Sequence, residues 1–113
     1  MIEYPTVDLV ISTNKKLMEK TKVTKAEKHG LLADKKVIED VIKEMKESKG
    51  DIYDKAAILL TGIVQKHIFE SGNRRTAFLV TDGFLAVNKS PLNMNRDHIE
   101  NVLQGIRERF YKL

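Results

Sequence analysis

Apolar residues recur along this chain at the spacing of a helix. Val7, Val10, Ile11, Leu17 and Met18 fall on one face at a period of about 3.6 residues. Pro5 and Thr6 stand where such a helix would begin. The polar stretch from Glu19 to Gly30 is rich in Lys and has no clear period, so it reads as a loop or flap. Val37, Ile38, Val41, Ile42 and Met45 form a second stripe, backed by Glu39, Asp40, Lys43, Glu44 and Lys46. Asp34 is placed to cap its start, and Ser48, Lys49 and Gly50 to end it.

A third helix opens on Asp51 and Asp54, where carboxylates suit the positive end of the helix dipole. Its body, AAILLTGIVQKHIF, is apolar nearly all round, as expected of a helix inside a bundle. The fourth follows Gly72 and Asn73, and its Ala77, Phe78, Leu79, Val80, Phe84, Leu85, Ala86 and Val87 also leave little polar face. Asn88, Ser90 and Pro91 break it, and a last helix is predicted from about Asn95, with Ile99, Val102, Leu103, Ile106 and Phe110 on one side. No strand alternation runs beyond a few residues. The expectation is an all-α bundle, a single domain over residues 1–113, with the third and fourth helices at its centre.

Composition narrows the chemistry. Hydrophobic residues make up 42% and charged residues 32%, a globular balance. Without Cys, neither disulfides nor thiolate catalysis enters. No apolar run approaches the roughly 18 residues of a membrane span, and MIEYPTVDLV lacks the form of a signal peptide. A cytoplasmic location is expected. The net charge of +4 would suit an acidic partner, but signs are mixed within segments such as KKVIEDVIKEMKESK, which argues against nucleic acid.

The join between the two central helices, HIFESGNRRTAF, breaks local rules. Arg74 and Arg75 fall in the first turn of a helix, where the dipole is already positive and each misplaced charge costs about 0.3–1 kcal/mol. Both make sense if an anion sits there. Free backbone N–H groups at a helix start favour phosphate, and guanidinium forks add charge-assisted bonds. Gly72 permits a positive φ and close backbone approach, Asn73 is placed to cap the helix and shape the loop, and Phe69 to anchor it in the core. His67 closes an apolar helix a few residues away, and a neutral imidazole can take a proton from an attacking hydroxyl. An anion cradle beside a general base is the minimal kit for phosphoryl or nucleotidyl transfer. A core histidine beside two surface arginines is the plainer alternative.

The run from His67 to Thr76 resembles the Fic/Doc signature: His, any residue, Phe, any, an acid, Gly or Ala, Asn, Gly or Lys, Arg. His67, Phe69, Gly72, Asn73 and Arg75 match it. PTVDLVISTNKKLMEK, HGLLADKKVIEDVIKEM and FLAVNKSPL are similar to Doc-like segments elsewhere in the chain. The resemblance implies a Fic/Doc-type bundle with the motif loop between two central helices. It implies His67 as the base, Gly72 and nearby N–H groups as an anion hole, and Asn73, Arg74 and Arg75 around the phosphates of ATP. The family's acid binds magnesium; here that position is Ser71, and Glu70 is the neighbouring candidate for a Mg2+ ligand. Fic signatures carry a second Arg three residues after the first, and this chain has Phe78 there. A basic Arg74 and no second Arg resemble the Doc branch, toxins that pass the γ-phosphate of ATP to a protein hydroxyl and are restrained by an antitoxin chain. The target by analogy is elongation factor Tu. The alternatives are a Fic-type AMP transferase, or a non-catalytic nucleotide- or partner-binding module because of Ser71. No inhibitory Ser/Thr-x-x-x-Glu-Gly/Asn pattern is present in the sequence.

Other polar residues carry plainer expectations. His29 and His98 read as surface histidines, and the three histidines lack metal-ligand spacing. Asp82 reads as a satisfied, half-buried carboxylate on the face of Arg75. Tyr4, Tyr53 and Tyr111 read as packing residues with one wet end. Neither a P-loop nor a Rossmann fingerprint occurs.

Overall fold

The structure, a computed structural model, describes residues 1–20 and 30–90. His29, the last helix with His98, and Tyr111 lie outside the described residues. Four helices are described: α1 Val7–Lys20, α2 Lys35–Glu47, α3 Ile52–Gln65 and α4 Asn73–Val87. The arrangement is all-helical, the sole β feature among the described residues being one isolated antiparallel bridge between Leu31 and Phe69.

Each helix begins where its local chemistry dictates. Thr6 Oγ1 accepts the Leu9 N–H at 3.1 Å at the head of α1. That helix continues to Lys20, so Glu19 and Lys20 are helical and not part of the loop expected from Glu19. Asp34 caps α2 by accepting the Lys36 N–H at 3.0 Å. At α3 a full capping box forms: the Asp51 carboxylate accepts the Tyr53 and Asp54 N–H groups, and the Asp54 carboxylate accepts the Asp51 N–H.

The buried face of α2 is Ile38, Val41, Ile42 and Met45, with Val37 at its margin. It packs on α3, where a Cβ added to Gly62 would come within 2.8 Å of both Val41 methyls. The most extensive contact joins α3 to α4, and α1 lies across α4 and α2. So α3 and α4 are central, as their composition predicts. Among the described residues, however, α4 keeps an open side: Asp82, Gly83, Ala86 and Val87 are exposed. Asp82 is therefore a surface carboxylate, not the half-buried one expected.

Two ties close the bundle. Lys55 is buried, and its ammonium donates to the carbonyls of Met45 at 2.8 Å and Ser48 at 2.7 Å. It thus satisfies orphan acceptors at the end of α2. Asn88, just past α4, accepts the Glu3 N–H and donates to the Glu3 carbonyl. That tie holds the chain start beside Phe84, on whose ring Tyr4 stacks. Tyr53, by contrast, is 49% exposed and faces solvent.

Candidate functional site

The site is built on the join from α3 to α4. Lys66 caps α3 in helical conformation, and His67 follows at φ 45, in the left-handed region. That position past a helix end usually holds Gly, because a Cβ there costs on the order of 1 kcal/mol. A histidine is held there against its own preference, and the residue is exposed. Strain of this kind collects at functional sites.

Ile68 and Phe69 turn straight back into the core, both fully buried, and anchor the loop as the sequence suggests. The loop then meets the segment that leads into α2. Glu70 N–H donates to the Gly30 carbonyl at 2.9 Å, and Leu32 N–H to the Ile68 carbonyl at 2.8 Å. The Glu70 carboxyl folds over Gly30, where a Cβ would stand 2.9 Å from its Cδ and Oε1.

Gly72 is the N-cap of α4, at φ 78, and offers no side-chain oxygen to the helix start. The expected positive φ is present. The close approach at this glycine is on its interior side, where a Cβ would lie 2.5 Å from Met18 Cε. Asn73 is the first residue inside the helix, so it is not the cap. Its side chain instead closes a two-bond ring on the loop: Oδ1 accepts the Phe69 N–H at 3.0 Å, and Nδ2 donates to the Phe69 carbonyl at 2.9 Å. One amide hydrogen of Nδ2 is left over for a ligand. The first helical bond, Thr76 N–H to the Gly72 carbonyl at 2.8 Å, leaves the earlier N–H groups of α4 outside the ladder.

These residues surround one cleft of about 460 Å³, lined by Val64, His67 and the run Glu70 to Arg75. That volume lies within the range of small-molecule sites, roughly 300–1,000 Å³. Every position singled out in the sequence as a site residue is on its wall: His67, Glu70, Ser71, Gly72, Asn73, Arg74 and Arg75. Arg74 is exposed and Arg75 half-buried. The lining residues include two arginines and the N-terminus of one helix against a single carboxylate, so their balance favours an anion.

Magnesium is commonly held by one or two carboxylates together with substrate phosphates. Among the described residues no group of three or more His, Asp or Glu side chains forms a metal cage. Glu70 and Ser71 are the oxygen-bearing side chains of the cleft suited to a cation. Such a pair fits an ion that arrives on a polyphosphate, not one held by the protein alone.

Sequence reasoning missed Asn14. It sits in α1, fully buried, and its Nδ2 donates to the Ser71 carbonyl at 2.9 Å and to Thr76 Oγ1 at 3.0 Å. A signal was present: Asn14 lies four residues from both Val10 and Met18, a polar residue in the middle of an apolar stripe. The pairing of residues 30–33 with the motif loop was also missed, and no local pattern announces it.

No helix among the described residues is long and apolar enough to cross a membrane. Neither a curated protein nor a solved structure matches the chain. A family model does. It spans residues 4–85, from the turn before α1 through the strained histidine and the uncapped start of α4, and on that match the chain belongs to the Fic/DOC family.

Proposed function

We propose that this chain is a Doc-like protein kinase that passes the γ-phosphate of ATP to a hydroxyl of a target protein. One observation carries it: an exposed histidine, held in left-handed backbone, shares a single cleft with an uncapped and doubly cationic helix start. The polyphosphate lies along the start of α4, where the Gly72 N–H and the guanidinium groups of Arg74 and Arg75 meet its oxygens. Asn73 keeps the loop in shape and spares one N–H for the nucleotide. His67 takes the proton of the target hydroxyl as its oxygen attacks the γ-phosphorus. The bond to the β,γ-bridging oxygen breaks, and ADP leaves with the electron pair. Glu70 and Ser71 are the residues that would hold magnesium, which supplies further charge neutralisation when bound.

Phosphate transfer is favoured over AMP transfer by Phe78. It occupies the position of the second Fic arginine and packs as a partly buried side chain against the core. No guanidinium stands on α4 three residues past Arg75. We infer the toxin role, with an antitoxin partner and a cytoplasmic target, from the same Doc-like features.

The test is incubation of the protein with ATP labelled at the γ- or the α-phosphate and candidate targets, elongation factor Tu first, beside a His67→Ala control. Label from γ that disappears in the control is expected. Label from α would establish AMP transfer instead. Nucleotide binding without label on any target would mark a binding module.

A further inference from the structure

We infer that Asn14 is a positioning residue for phosphate binding, which locks the Ser71–Gly72 peptide so that the Gly72 N–H points into the cleft. The inference rests on the phosphate-binding role proposed above. Asn14 is fully buried on the face of α1 that also buries Val10 and Met18. An amide there gives up water, at a cost that an aliphatic side chain of similar size would avoid. What it gains includes two bonds across the fold, to the Ser71 carbonyl 57 positions away and the Thr76 hydroxyl 62 positions away.

The first of those bonds fixes a direction. The peptide from Ser71 to Gly72 is trans, since no cis bond occurs among the described residues. In a planar trans peptide the carbonyl and the N–H point opposite ways. The carbonyl is turned into α1, so the Gly72 N–H is turned away from α1. On that other side lies the cleft, which Gly72 lines and to which α1 contributes no lining residue. The N–H therefore faces the place of the phosphate.

A lock on this peptide is needed because the loop's own Asn73 ring holds the Phe69 backbone and not the Ser71–Gly72 peptide. Glycine accepts φ of either sign, so rotation of this peptide meets little resistance from Gly72 itself. A rotated peptide would present its carbonyl to the cleft, an acceptor where a phosphate requires a donor. Asn14 opposes that rotation from outside the loop.

Glycine-selective 15N labelling of the intact chain, read by NMR during titration with ATP, tests this directly. In the wild type the Gly72 amide proton is expected to move downfield as ATP binds. Asn14→Leu fills the same space without a donor, and is expected to bind ATP at least tenfold more weakly by calorimetry and to lose the Gly72 response. Val10→Ala, a cavity one turn away on the same buried face, is expected to lower stability while affinity stays within about twofold. Asn14→Leu with wild-type affinity and an unchanged Gly72 shift overturns the inference. So does a wild type that binds ATP with no change at Gly72, a result that needs no variant to fold. A wild type that binds no nucleotide refutes the phosphate-binding reading itself, and this inference with it.

Discussion

His67 is kept in a conformation its own backbone disfavours, and that sets function against stability at one residue. Replacing it with Gly relieves the left-handed strain, offset in part by the greater freedom of Gly in the unfolded chain. His67→Gly is expected to unfold later in urea, by about 0.5–1 kcal/mol, while phosphate transfer falls by about a hundredfold or more. A variant that loses both stability and activity would show that the ring also serves the packing. Arg75 is the half-buried member of the arginine pair. Arg75→Ala is expected to weaken ATP binding by about tenfold or more, since charge-assisted bonds to phosphate are among the stronger ones. Circular dichroism should stay helical. Unchanged affinity by calorimetry would remove Arg75 from the cradle.

At the level of helices, the seam between α2 and α3 depends on the missing side chain at Gly62. Both methyls of Val41 occupy the space a Cβ would need. Gly62→Ala is expected to cost about 1–3 kcal/mol in urea unfolding by overpacking. Val41→Ala in the same chain should recover part of that cost, because the two changes share one contact. Additive losses would place the problem elsewhere. Most of this level was legible in the sequence. The stripe from Val37 to Met45, the Asp34 cap and the Asp51 and Asp54 opening are patterns within a few residues, and the structure has them all. The motif residues were legible because a general base and an anion cradle lie within one short run. Asn14 shows in the sequence only as a polar break in its apolar stripe and Lys55 not at all, since the role of each is explained by acceptors on another element. The residue type of Asn73 suggests a cap, whereas the loop ahead of it offers a better partner in the Phe69 backbone. The open side of α4 does not show in the sequence, because Ala86 and Val87 count as apolar wherever they face.

For the molecule as a whole, Phe69 is the point where the core and the cleft are one structure. Its ring is fully buried, and its backbone is held by Asn73 and bridged to Leu31. Phe69→Ala is expected to remove about 3–5 kcal/mol, a large share of the 5–15 kcal/mol typical of a domain. Urea unfolding reads the loss, and a cost under about 1 kcal/mol would mean the ring is not the anchor. The same connection bears on any attempt to engineer this chemistry. Residues 67–75 look like a portable cassette, yet Glu70 and Ile68 are hydrogen-bonded to Gly30, Leu32 and Ala33. A graft onto another helical scaffold must therefore carry the approach to α2 along with the cassette, or the transplanted imidazole will arrive without its mount.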